Sequence, residues 1–210
     1  MLISKKNSFI FIHIYKNAGT SATNALLPFA LSQWQLIVHK ALKKARVPSP
    51  FEPQPFHAHI KVSEIIESLG RKKFNSFFSF AIVRNPWDWQ VSLYKYMLKS
   101  KTHHQHELVS KLGSFDEYIK WRCKNEVRYQ KDFIYSNNNE LLVNYVARFE
   151  NLDADFDKIC SHIGVAASLP KLNVSNTKPY QEFYSEETKE LVRQTFKPDI
   201  ELLNYDFLAT

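Results

Sequence analysis

Phe9-Ile-Phe-Ile-His-Ile14 runs straight into Tyr15-Lys16-Asn17-Ala18-Gly19-Thr20-Ser21, and further on Phe80-Ala-Ile-Val83 runs into Arg84-Asn85-Pro86-Trp87-Asp88. Each is an apolar run ending in a turn and a helix start. Near-continuous apolar runs of this length read as parallel strands covered on both faces. Strands alternating with helices predict an α/β fold with a mostly parallel central sheet. Ligands of such sheets collect at the carboxyl ends of the strands. Two strand ends that each present a cation and backbone N–H groups suit a ligand with two separate phosphates.

In the first segment Thr20 and Ser21 open a helix through Ala22, Asn24, Leu26 and Leu27. The N–H groups of a helix N-terminus form an anion site, and Lys16 adds a full mobile charge. Gly19 permits close backbone approach to a phosphate, and Thr20 and Ser21 supply hydroxyls. The nucleotide kinase loop G-x-x-x-x-G-K-[ST] is absent: here the lysine precedes the glycine, and no glycine stands upstream of it. The competing reading is an ordinary strand-to-helix turn with a surface lysine.

In the second, Ser79–Val83 reads as a buried strand after Phe77-Phe78. Asn85 suits an N-cap, Pro86 the first helical position and Asp88 the first turn. Trp87, Val91, Tyr94 and Leu98 recur at helical spacing and predict the buried face. Arg84 and Ser92 together make a phosphate clamp, an Arg fork plus a hydroxyl. The alternative is that Arg84 only pairs with Asp88.

Together the two segments resemble the sulfotransferases that include the heparan sulfate 2-O- and 6-O-sulfotransferases and their bacterial relatives. The resemblance implies a P-loop-like three-layer sandwich, formed by residues 1–210 as a single domain. It implies that Lys16, Asn17, Ala18, Gly19, Thr20 and Ser21 hold the 5′-phosphosulfate of 3′-phosphoadenosine 5′-phosphosulfate (PAPS), and that Arg84 and Ser92 hold its 3′-phosphate. Arg148–Leu152, Leu169–Asn173 and Lys178-Pro-Tyr180 also look like family segments. The last, with Lys178, comes from a loop closing over the nucleotide. Tyr15 stands where the family usually has Pro, and Ala18 where it usually has Gly. A positive φ at Ala18 would be costly.

An attacking hydroxyl must lose its proton, and histidine has the pKa for that task. In the 2-O-sulfotransferase branch a His-x-His segment occupies the place of His57-Ala58-His59. The resemblance therefore implies His57 as base and His59 as its support; two loop histidines without chemistry are the alternative. His103, His104 and His106 form a cluster completed by no recognisable ligand set, and a solvated loop is expected there. His13 reads as a hydrogen-bonded core histidine. The four tryptophans read as packing, with Trp89 also placed to line a substrate cleft.

With 210 residues, 44% hydrophobic and 14% aromatic, the chain can bury a substantial core. Pro48–Pro55 reads as a stiff loop leading to His57, and Asn137–Asn139 as a turn. Two cysteines give no disulfide framework, and no apolar run is long enough to span a bilayer. With no signal peptide before the first strand, a bacterial cytoplasmic enzyme is expected, with peripheral contact at the inner membrane face allowed. The net charge of +7 suits acidic partners in general. Much of the excess lies in Lys40–Arg46, Arg71–Lys73 and Lys95–Lys101, read as solvated helix faces and turns, and a polyanionic donor accounts for part of it.

Helices are predicted over 114–124, 126–133 and 153–163, and from Ser185 to Phe196 with a stop near Pro198; a strand is predicted within 141–149. The function expected is sulfuryl transfer from PAPS to a hydroxyl on a glycan or small molecule, with no metal and no nucleic-acid partner. The rivals are a kinase-like phosphotransferase and a non-catalytic protein binding a nucleotide or polyanion. The missing Walker loop and the Arg84…Ser92 pair argue against the first, and the His57/His59 pair against the second. Acceptor contacts come from variable loops, and the sequence leaves acceptor and oligomeric state open.

Overall fold

The computed structural model describes residues 1–51, 56–170 and 178–208. In chain order its elements are β1 (Leu2–Ser4), β2 (Phe9–Ile12), α1 (Gly19–Ala30), α2 (Gln33–Lys44), α3 (Val62–Leu69), α4 (Arg71–Phe74), β3 (Phe78–Val83), α5 (Pro86–Lys99) and α6 (His106–Leu112). There follow α7 (Phe115–Asn125), α8 (Lys131–Ile134), β4 (Tyr145–Arg148), α9 (Leu152–His162), α10 (Glu186–Thr195) and α11 (Lys197–Leu202). The chain forms two compact units, one of Met1–Val83 with Phe133–Val174, the other of Arg84–Asp132 with Ser175–Thr210.

The first unit holds the sheet, in the order β1-β2-β3-β4. The β2–β3 and β3–β4 pairs are parallel, with Phe11 opposite Phe80 and Ile82 opposite Ala147. Their apolar runs are buried as the pattern predicts: Phe9, Phe11, Phe80 and Ile82 pack with Ala22 and Leu26 of α1 and with Phe156, Ile159 and Cys160 of α9. The antiparallel edge strand β1 was not predicted. Three residues before a Lys5-Lys6-Asn7-Ser8 turn are too few to show a period. Helix α1 runs through Pro28, which withholds an N–H from the helix ladder. The nearby Phe29 carbonyl accepts from Ser4 Oγ at 2.7 Å.

The second unit is helical, and here the structure corrects several expectations. Asn85 caps α5 as predicted, accepting from Trp87 N. The buried face of α5 includes Trp89, Gln90, Leu93 and Met97, while Leu98 lies exposed. Trp89 is fully buried, so it packs and does not line a cleft. The helix predicted over 126–133 shrinks to α8, because Gln130 N is drawn out to a carboxylate of Asp199. Helix α10 ends at Thr195, two residues short of Lys197-Pro198, as expected; Pro198 then sits in the first turn of a further helix, α11, that was not expected and where its missing N–H costs nothing. In the first unit, Trp34 on α2 is exposed and so is not core packing.

Candidate active site

The turn after β2 is built from left-handed backbone. Lys16 has φ 65° and Ala18 has φ 55°. Ala18 therefore does adopt the costly conformation, and strain of this kind in a non-glycine residue persists only where its surroundings hold it. Asn17 is part of that hold: it is buried, and its Nδ2 donates to the Ile82 carbonyl of β3 at 2.9 Å. Its amide thus ties the turn to the sheet. Helix α1 begins at Gly19, so the N–H groups of Gly19, Thr20 and Ser21 lie in its first turn, without carbonyls of their own helix to meet. Thr20 is exposed and Ser21 buried.

Gly19 is required for space and not for its φ. A Cβ built there would lie 1.8 Å from His13 Cδ2 and 1.9 Å from His13 Nε2. The His13 ring occupies the volume that any other residue would need. Burial, with smaller contributions from the positive N-terminus and His59, lowers its pKa to about 3, so the ring is neutral at physiological pH. We expect Gly19→Ala to destabilise the fold by about 1–3 kcal/mol, as overpacking of a filled site does. Gly19→Ala combined with His13→Ala should recover much of that loss in urea denaturation. A single Gly19→Ala variant as stable as the parent would refute the packing.

His13 also fixes His59. The His59 Nδ1 lies 2.9 Å from the His13 carbonyl oxygen, and its ring meets those of His13 and Tyr15 edge-on at 4.8 and 5.7 Å. A carbonyl only accepts, so Nδ1 carries the proton and Nε2 is left with a lone pair. Although His59 as a whole is exposed, the covering of its ring lowers its pKa; the His13 bond opposes the shift and the N-terminus and His57 add to it. His59 is therefore a neutral imidazole of set tautomer, tied to the residues flanking the turn. His57 is exposed and faces Glu64, its Nε2 3.8 Å from the carboxylate.

Arg84 follows β3 directly. Its Nε donates to Asp88 Oδ2 at 2.7 Å, so the pairing weighed in the sequence does form. Asp88 and Ser92 stand four apart on α5 and share a face, which brings the Arg84 guanidinium over the face that carries the half-buried Ser92. Lys95, one turn further on, was read as a solvated cation. Instead its Nζ lies 4.2 Å from the centre of the Phe183 ring, and burial lowers its pKa while Asp88 raises it and Arg84 lowers it. The spacing of Asp88, Ser92 and Lys95 was its signal in the sequence.

The Arg84 backbone is held separately. Gln130 accepts from Arg84 N at 3.0 Å and donates to its carbonyl at 2.7 Å, as a neighbouring strand would. Gln130 N in turn donates to Asp199 Oδ2, and Lys131 N to Asp199 Oδ1, both at 2.8 Å. Gln130 and Asp199 are wholly buried. Sequence reasoning missed both, because nothing local marks residues that act only through tertiary bonds.

Lys178 is exposed in the second unit, with Glu182 3.8 Å away. Of the Leu169–Asn173 segment, residues 171–173 lie outside the described residues, as do 52–55 of the proline-rich loop. His103 and His104 stack in a turn after α5, and His106 Nδ1 bonds the Met97 carbonyl. Among the described residues no group of three or more His, Cys, Asp or Glu could hold a metal ion, and no helix is long and apolar enough to cross a membrane.

A sequence model described as the sulfotransferase family matches residues 1–206. No curated protein matches. Among solved structures, the crystal structure of mouse sulfotransferase SULT7A1 complexed with PAP aligns with a TM-score of 0.52 at 12% identity. The alignment covers 98% of this chain and 91% of that one, a likeness of fold.

Proposed function

The chain belongs to the sulfotransferase family, and we propose that it transfers the sulfuryl group of PAPS to an acceptor hydroxyl, most fittingly on a carbohydrate. The observation that carries this reading is the turn from Tyr15 to Ala18. Its left-handed Lys16 and Ala18 deliver the chain to a helix start at a glycine packed under His13. Such a turn presents successive N–H groups to an anion. The PAP bound by the mouse sulfotransferase supports the choice of nucleotide, and the carbohydrate acceptor rests on the resemblance to the heparan sulfate enzymes.

Lys16, Gly19, Thr20 and Ser21 would hold the 5′ end of the donor, with Asn17 securing the turn from behind. Arg84 and Ser92 would hold the 3′-phosphate, and Lys178 would approach from its surface segment. When bound, the donor supplies an activated sulfuryl group. His59 Nε2 would take the acceptor proton; this choice departs from His57, which the resemblance implies, and is supported by the fixed tautomer and neutral state of His59. The charge of Lys16 and the first-turn N–H groups would stabilise negative charge at the 5′-phosphate.

Adenosine 3′,5′-bisphosphate should raise the melting temperature far more than AMP, because AMP leaves the Arg84 clamp without its phosphate. At a hundredfold its dissociation constant a ligand stabilises by about 2.7 kcal/mol, a readily measured shift. Equal shifts from both nucleotides would remove the 3′ clamp from the reading, and a larger one from ATP with Mg²⁺ would favour the phosphotransferase.

A further inference from the structure

Seven of the 28 Lys and Arg residues and none of the 21 acidic ones precede Glu52, so the formal +7 of the chain resides in its first 51 residues. Four of the seven, Lys40, Lys43, Lys44 and Arg46, lie on or just after α2. All four are exposed. Helix α2 also contains no fully buried residue. Its apolar positions span a wide arc: Val38 and Leu42 are partly covered, while Trp34, Ile37 and Ala41, at i, i+3 and i+7, face solvent. Trp34 is 58% exposed, Ile37 68%, and Val47 beyond the helix 49%. Lys40 and Lys44 fall on the same side as this row by helical spacing.

We propose that α2 is a membrane-docking helix, its Trp34–Ile37–Ala41 row entering the headgroup region of an anionic bilayer while Lys40 and Lys44, beside that row, and Arg46, beyond the helix, meet lipid phosphates. An exposed apolar row bordered by basic residues, with no acidic residue among them, is the composition of helices that lie in the bilayer interface. Tryptophan suits that depth, and long lysine stems reach from it to the phosphates. The Trp34 ring meets Phe51 edge-on at 4.7 Å yet stays mostly exposed, and a soluble polyanion would use the cations while leaving the exposed parts of Trp34 and Ile37 in water. A second copy of the chain would cover the apolar row and bring two clusters of like charge together. The bilayer satisfies both features.

The test is sedimentation of the full chain with vesicles of phosphatidylcholine alone or mixed with phosphatidylglycerol, without nucleotide, so that its outcome is independent of the donor. Binding is expected to the phosphatidylglycerol vesicles and to weaken with salt. Each basic side chain near such a surface strengthens binding about fivefold, so Lys40→Gln with Lys44→Gln should cost roughly 25-fold. Trp34→Ser with Ile37→Ser should abolish sedimentation while leaving the circular dichroism spectrum unchanged. Three results would overturn the proposal: no preference for anionic vesicles, vesicle binding undiminished by the Trp34/Ile37 changes, or a dimer in solution that those changes dissolve. Tight binding to heparin without vesicle binding would assign the surface to a soluble polyanion instead.

Discussion

Replacing His59 with alanine is expected to lower turnover by about 10²- to 10⁴-fold, the usual contribution of a general base. Affinity for adenosine 3′,5′-bisphosphate should stay near that of the parent, since the side chain is assigned to the acceptor. His57→Ala should change turnover far less, because His57 is turned to Glu64, whereas it is the His59 ring that packs against His13 and Tyr15. The pH profile provides a second readout. A base acts only when neutral, and the pKa of His59 lies below that of a free imidazole. Activity should therefore hold down through neutral pH and fall only on the acid side of the usual histidine range. If His57→Ala is the inactive variant, the order implied by the His-x-His resemblance is right and the tautomer argument is not decisive. If neither change matters, histidine catalysis is wrong for this chain. The carboxylates to try next are Asp88, which already binds Arg84, and Glu52, which lies outside the described residues.

What could be read from the sequence was what local chemistry determines. The ends of β2 and β3 were legible because an uninterrupted apolar run must be buried, and because Asn85-Pro86 is a helix start by its own geometry. The amphipathic α9 and the Ser185 cap of α10 were legible for the same reason. The arrangement within the site was not. That Gly19 is matched to the ring of His13, and that His59 is set by the His13 carbonyl, depends on bringing three separate segments together. The helix expected over 126–133 failed for a related cause. Its local propensity was sound, yet the bond from Gln130 N to Asp199 outweighs the helical one. Lys95 shows the opposite bias, a cation assigned to solvent by composition and then covered by Phe183.

Asp199 should make the second unit less stable as pH rises, against the usual behaviour of a carboxylate. Burial pushes its pKa up to about 7; the N–H bonds from Lys131 and Gln130 oppose the shift, Asp132 adds to it, and the charge of Lys131 opposes it. A folded-state pKa above the unfolded value of 3.8 means that the native protein holds this proton more tightly. Its stabilising effect is complete below the unfolded pKa and is lost as pH climbs through about 7, by on the order of 4 kcal/mol. His13 works in the other direction: its lowered pKa removes stability as pH falls below the ordinary imidazole range. The wild-type curve alone is therefore not diagnostic, and the comparison to make is with Asp199→Asn, in which His13 is unchanged. Measured by urea denaturation from acid to mildly alkaline pH, the wild type should lose its advantage over Asp199→Asn steadily up to about neutrality and then run parallel to it. Parallel curves over the whole range would mean that Asp199 titrates normally. Above neutrality the ionised carboxylate has both oxygens free to accept from Gln130 and Lys131, whereas an amide can accept with only one. Asp199→Asn should therefore loosen Gln130 and, through it, the Arg84 backbone. The expected sign is weaker binding of adenosine 3′,5′-bisphosphate at alkaline pH with little change for AMP, a pattern that general destabilisation would not produce.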